Sequence, residues 1–179
     1  IVKSNNSFKK LLLDSFLEKL PFKLTDSQIK VLEEIKLDLN GINPMSRLLQ
    51  GDVGSGKTLV ALLCMLIAID NGFQSCLMAP TEILSIQHFT TIVDFMKNQN
   101  VNIQLLTGST KTKQRKIIHE DLLNGKIDIL IGTHALLEDK VKFSNLAFVV
   151  IDEQHRFGVA QRAKLWTINN FPPHILVMT

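Results

Sequence analysis

The stretch Gly51-Asp52-Val53-Gly54-Ser55-Gly56-Lys57-Thr58 constrains this chain more than any other. It has the form G-x-x-x-x-G-K-[ST], which cradles phosphate where a strand feeds the loop and a helix leaves it. The flanking pattern supplies both. Residues 45–50 end apolar, as a short buried strand does, and residues 59–69 run unbroken through Leu, Val, Ala, Cys, Met and Ile for a length that suits only a helix. Gly51, Gly54 and Gly56 let the backbone curl so that successive N–H groups point inward at phosphate oxygens, and the helix that follows adds the positive end of its dipole. Lys57 supplies a mobile charge for the outer phosphates, and Thr58 a hydroxyl for the magnesium ion that bridges them. A nucleoside triphosphate with Mg2+ is the expected ligand.

Composition narrows the setting. With 179 residues and 45% hydrophobic content the chain can bury one substantial core, so one main domain is expected. No apolar run reaches membrane-spanning length. The beginning shows no signal-peptide pattern, because Lys9, Lys10, Asp14, Glu18 and Lys19 interrupt it. Cys64 and Cys76 sit in apolar runs without metal-ligand spacing, and read as reduced core residues of a cytoplasmic protein. A net charge of +3 permits nucleic-acid contact without demanding it.

Residues 8–20 carry Phe8, Leu11, Leu12, Phe16 and Leu20 at roughly helical spacing, closed by Pro21. With it, residues 1–20 are expected to lead from an upstream domain, leaving 21–179 as the main domain. Phe22-Lys23-Leu24-Thr25-Asp26-Ser27-Gln28 opens the next helix. Here two readings of Gln28 compete: Thr25-x-x-Gln28 is a capping box, and the Gln28 amide also has the donor–acceptor pair that matches an adenine edge. Downstream, strand-like and helix-like segments alternate. Strands near 74–79, 103–106 and 127–131 end in Pro80-Thr81, Thr107-Gly108-Ser109 and Gly132-Thr133-His134. Helical crossovers between them imply a mostly parallel sheet with helices on both faces, and hence one shared edge for these turns and the phosphate loop. Small polar groups there could hold a sugar–phosphate chain, while helix capping is the plainer use of the same Thr and Ser residues. The cluster Lys111, Lys113, Arg115 and Lys116 reads first as a solvated helix face. The most apolar strand, 146–151, delivers Asp152 and Glu153, placed to hold magnesium through its water shell and to take a proton from attacking water. Gln154 and His155 follow.

These motifs, in this order, resemble the first motor domain of a superfamily 2 helicase, and most closely that of the bacterial branched-DNA translocases. The residues that carry the likeness are Leu24-Thr25-x-x-Gln28, Arg47-Leu48-Leu49-Gln50 with the phosphate loop, Ala79-Pro80-Thr81-Glu82, Thr107-Gly108-Ser109, Gly132-Thr133-His134 and Asp152-Glu153-Gln154-His155-Arg156-Phe157-Gly158-Val159. A related group, the transcription-repair coupling factors, resembles D-E-E-Q-R-F-G at the last of these. The resemblance implies a RecA-like phosphate-loop NTPase domain that binds ATP and Mg2+. It implies a nucleotide set of Phe22, Leu24, Gln28, Gly51, Gly54, Ser55, Gly56, Lys57 and Thr58, and a catalytic set of Lys57, Asp152 and Glu153, with Thr58 and Asp152 on the metal. Pro80, Thr81, Gly108, Ser109, Thr133, His134, Gln154 and His155 become contacts to DNA or residues coupling hydrolysis to it. The family pattern also calls for a second motor domain bearing an arginine finger and an upstream wedge domain, neither within these residues; Thr179 would begin the family's T-A-T motif. A small-molecule kinase and a nucleotide-gated binding module remain as other classes compatible with the loop.

Overall fold

The chain was analysed as a computed structural model, which describes residues 11–153, 164 and 171–179. Six strands form one sheet: β1 (Ser46–Leu49), β2 (Gln74–Met78), β3 (Ile103–Leu106), β4 (Ile129–Gly132), β5 (Leu146–Asp152) and β6 (His174–Met178). Their spatial order is β1-β6-β5-β2-β4-β3, and every pair is parallel. Among the described residues the helices that accompany them are α1 (Leu11–Lys19), α2 (Asp26–Leu39), α3 (Lys57–Asp70), α4 (Glu82–Phe95) and α5 (Thr112–Leu123), with a 3-10 turn at His134–Leu137. The carboxyl ends of all six strands therefore lie along one edge, as the alternating pattern requires.

The central strands read as continuous apolar runs because the sheet is covered on both sides, and their period of two divides the core. Leu77, Phe148, Val150, Leu176 and Met178 face a cluster with Leu13 and Phe16 of α1, Leu32 and Ile35 of α2, most of α3, and Ile92 of α4. Their neighbours Cys76, Met78, Val149, Ile151, Ile175 and Val177 face a second cluster with Ile118 and Leu122 of α5 and with Leu136 and Phe143. Phe148 is fully buried at the middle of this arrangement, and its truncation to Ala would cost about 3–5 kcal/mol. Burial pushes both thiols up to about 12, so Cys64 and Cys76 are inert core residues.

Strand β1 departs from expectation. It lies at the edge of the described sheet rather than inside it, its residues alternate between exposed and half-buried, and Leu48 is 58% exposed. The apolar end of residues 45–50 signalled a strand correctly; four residues are too few to show whether one or both faces are covered. Helix α1 is fastened to the rest of the domain. The N–H groups of Leu12 and Leu13 in its first turn donate to the Asp70 carboxylate at the end of α3 at 2.9 and 3.1 Å, and Phe16 meets Phe95 edge to face. Among the described residues no helix is long and apolar enough to cross a membrane.

Candidate functional site

The phosphate loop joins β1 to α3. Gly54 and Gly56 both have φ of +81°, and Gly56 is the N-cap of α3. A β-carbon on Gly56 would be strained there and would also stand 2.2 Å from the Gln28 amide nitrogen, so glycine serves both the turn and the approach of α2. Ser55 N–H donates to the Asp52 carbonyl at 3.1 Å, closing the curl. Lys57 lies over it, with Nζ donating to the carbonyls of Gly51 and Asp52 at 2.5 and 2.8 Å; an ammonium has three donors, so one remains for a ligand.

Gln28 meets its capping reading and also reaches the phosphate loop. The capping box is present: Gln28 N–H donates to Thr25 Oγ1 at 3.2 Å, and Thr25 N–H to Gln28 Oε1 at 3.0 Å. The same amide reaches the loop, with Nε2 donating to the Ser55 carbonyl at 3.2 Å. Each amide atom still has one hydrogen or lone pair to offer, the pair that an adenine edge needs. Phe22 is exposed and Leu24 half-buried beside this helix start.

Strand β5 brings the carboxylates to the same edge. Asp152 is its last residue, and Glu153 has φ of +53°, the only non-glycine with positive φ among the described residues. That conformation costs roughly 1–2 kcal/mol for a residue with a β-carbon. Glu153 N–H donates to the Met178 carbonyl at 2.9 Å, so pairing with β6 holds the turn in place. The Thr179 carbonyl in turn accepts from Gly51 N–H at 3.4 Å, which ties the β6 end to the loop. Gln154 and His155 lie outside the described residues.

Sequence reasoning missed a partner of Asp152. His88 of α4 places Nε2 2.7 Å from Asp152 Oδ2, with both side chains largely buried. A signal was available: Ser85 and Ile92 are buried on α4, and His88 falls between them at spacings of three and four, a polar residue in the inward stripe. Oxygen donors suit magnesium, and Thr58 and Asp152 are such donors at one sheet edge. No group of three or more His, Cys, Asp or Glu among the described residues could hold a metal alone.

Along the rest of the edge, capping proves to be the immediate use of the hydroxyls. Thr81 Oγ1 accepts from Leu84 N–H at 3.2 Å and Thr133 Oγ1 from Ala135 N–H at 3.4 Å, each opening a helix. Thr107 Oγ1 donates to Glu82 Oε1 at 3.0 Å, and Ser109 Oγ donates to the same oxygen. Glu82 therefore ties the β2 turn to the β3 turn, a role the sequence did not suggest. Gly132 lets β4 close against β3, since a β-carbon there would meet the Leu106 carbonyl at 2.0 Å. Thr133 and Thr107 are buried, whereas Thr81, Gly108, Ser109 and His134 are exposed and Pro80 is half-buried. The basic cluster is corrected in one member. Arg115 is not a solvated side chain: Nη2 donates to the Thr107 carbonyl at 2.6 Å and Nη1 to both Glu138 oxygens at 3.2 and 3.0 Å. Lys111, Lys113 and Lys116 are exposed. Arg47 is likewise engaged, by Asp38 and by Glu34 at 2.9 Å, and those hydrogen bonds, Asp38 first, raise its pKa.

A doubly wound parallel sheet with a phosphate loop after its first strand and a carboxylate pair after its fifth defines a RecA-like nucleotide-binding domain. The DEAD/DEAH box helicase family matches residues 25–179, and the chain belongs to that family. It is similar to the ATP-dependent DNA helicase RecG of Synechocystis sp., 52% identical over 168 residues, which cover 94% of this chain and 20% of that protein. The protein of the same name from Bacillus subtilis is 51% identical over 164 residues, covering 92% of this chain and 24% of the relative. A solved structure of RecG bound to a three-way DNA junction matches with a TM-score of 0.84 at 43% identity, over 96% of this chain and 23% of that one. The chain thus spans about a fifth to a quarter of the length of these relatives.

Proposed function

We propose that this chain is the ATP-binding motor domain of an ATP-dependent DNA translocase that acts on branched DNA. The observation that carries the reading is the meeting, at one sheet edge, of the glycine loop with Lys57 and the Asp152–Glu153 turn, in a chain about half identical to helicases named RecG.

The reaction is ATP hydrolysis by in-line attack of water. Backbone N–H groups of the loop hold the phosphates, and Lys57, swinging out from its two carbonyl acceptors, neutralises charge that develops on the outer ones. Thr58 and Asp152 would hold a magnesium ion, which would supply Lewis-acid stabilisation of the charge on the phosphates. Glu153 accepts the proton of the attacking water, and its fixed left-handed backbone sets where its carboxylate can stand. Gln28 offers its remaining donor and acceptor to the base, and Phe22 and Leu24 supply apolar surface beside it. DNA is held on the β2, β3 and β4 turns by exposed backbone N–H groups and the Thr81 hydroxyl, which accepts inside the helix cap and can donate outward. Such contacts read phosphate rather than sequence. The relative solved on a three-way junction supports the DNA reading. The remaining length of the relatives would hold the second motor domain and wedge.

The test is DNA-stimulated ATPase in a protein carrying the whole length of its relatives, with branched and linear duplexes compared at matched salt. Branched DNA should stimulate more strongly. Turnover indifferent to DNA would overturn the motor assignment, and equal response to both duplexes would remove branch recognition.

A further inference from the structure

Resting on the nucleotide-site reading above, we propose that His88 is a positioning residue for the metal site: it fixes the carboxylate of Asp152 so that one oxygen faces the cation. An aspartate side chain turns readily about its last torsion, because that torsion has broad rather than sharply staggered minima. At the end of β5, with Glu153 beside it and a divalent ion to be served through water, an unanchored carboxylate would present either oxygen or neither. His88 removes that freedom. Its Nε2–H donates to Oδ2 at 2.7 Å, leaving Oδ1 to accept from the metal's water shell.

The anchor is itself well held. His88 sits two turns into α4, between Ser85 and Ile92, both fully buried, so the helix cannot roll without breaking its packing on the sheet. Thr81 caps the start of that helix, and Glu82 in its first turn holds Thr107 and Ser109 of the β3 turn. Six residues of helix, about 9 Å of rise, separate Glu82 from His88. One rigid element thus fastens the metal-site carboxylate at one position and the β2 and β3 turns at another.

A buried histidine beside a carboxylate could serve only to satisfy that carboxylate in the folded chain. The two roles separate on the metal. Affinity for ADP is to be measured with and without Mg2+, and with Mn2+ followed by electron paramagnetic resonance, in wild type, His88→Gln and His88→Phe. Unfolding temperature without ligand is recorded for each. Gln places an amide N–H near the position of Nε2, whereas Phe keeps the ring volume and removes the donor. Partners of this kind alter metal affinity by on the order of 10-fold or more. The expected result is a loss of that size for Mn2+ and for the Mg2+ enhancement of ADP binding in His88→Phe, recovery of most of it in His88→Gln, and unchanged metal-free ADP affinity in both. A His88→Phe protein that folds and keeps wild-type metal enhancement would overturn the proposal, as would a His88→Gln protein that folds and recovers none. A wild type whose ADP binding ignores Mg2+ would instead sink the metal-site reading on which the proposal rests.

Discussion

At the β1 and β5 end of the sheet edge the groups offered to a ligand are glycine backbone, one lysine and two carboxylates. At the β2, β3 and β4 end every turn carries a hydroxyl that is already engaged inside the protein. Thr81 and Thr133 cap helices, Thr107 and Ser109 bond Glu82, and Thr110 accepts from Thr107 N–H. Both ends use helix starts and tight turns, yet in the function proposed above side chains act on the ligand at one end, whereas at the other they shape the backbone. Substitutions at the first end should therefore change chemistry or affinity directly, and those at the second should act through the shape of the turns.

The largest effect expected is at Glu153. Glu153→Gln keeps the size and removes the base, so in a protein of the relatives' full length turnover should fall by about 10²–10⁴-fold with nucleotide affinity unchanged. Single-turnover hydrolysis beside a binding titration measures both, and a variant that retains a tenth of wild-type turnover would remove the proton-accepting role. Next in size is Lys57. Lys57→Ala should weaken Mg-ATP binding by roughly 1.5–3 kcal/mol, the usual value of a hydrogen bond to a charged group. Affinity equal to wild type would mean that the lysine stays with the Gly51 and Asp52 carbonyls and never meets phosphate.

Glu82 sharpens the comparison from the other end. A carboxylate near DNA phosphates repels them, so if charge alone mattered Glu82→Ala would tighten DNA binding. If the carboxylate instead shapes the β3 turn, the variant should loosen Thr107 and Ser109 and weaken DNA binding by roughly 1 kcal/mol, about fivefold, while Glu82→Gln keeps an acceptor and binds like wild type. A salt series reads both outcomes, because contacts to phosphate weaken together as ionic strength rises. Tighter binding by Glu82→Ala would show that the turns are not what holds DNA.

The same contrast explains what the sequence made legible. The loop, the parallel alternation and the carboxylates after β5 depend on local order along the chain: a glycine pattern, a period of two, a strand followed by Asp152 and Glu153. Gln28 was legible as a cap for the same reason, since Thr25 lies three residues away. His88–Asp152 and Glu82–Ser109 were not, because each joins side chains separated by 64 and 27 residues whose meeting depends on how strands order themselves in the sheet; Arg115 reaches the Thr107 main-chain carbonyl only 8 residues away, but the shape of the intervening turn decides that contact. Strand order is a long-range property that periodicity does not encode, and it also decides why β1 stands at an edge while β5 is enclosed.

The smallest effect expected concerns stability against pH, and it arises away from the nucleotide loop. His119 on α5 is shifted below the ordinary value of 6.5, first by burial and then by Arg115, and its Nε2 is buried without a hydrogen-bond partner. His174, at the start of β6, is also lowered, chiefly by burial. Its Nδ1 accepts from Met45 N–H at 3.0 Å, and a protonated Nδ1 would set donor against donor. For both residues the folded chain takes up its proton at lower pH than the unfolded chain. Between the folded value and 6.5 the unfolded state therefore binds more protons, and stability rises with pH. Their contribution is fully present above 6.5 and is lost as pH falls through the folded values. Asp128 works in the opposite sense from 3.8 upward, because burial raises its pKa, so the slope of wild type alone is not diagnostic. The measurement is urea unfolding from about pH 7.5 to about pH 5.5 for wild type, His119→Gln, His174→Gln and the double variant, since both histidines should contribute to the acid limb of that window. The double variant should be the flattest. Removing His119 should flatten the curve without altering the link between β1 and β6, whereas His174→Gln, whose amide oxygen can still accept from Met45, should flatten it and keep that link. A double variant that loses stability as steeply as wild type would place the acid sensitivity in other groups.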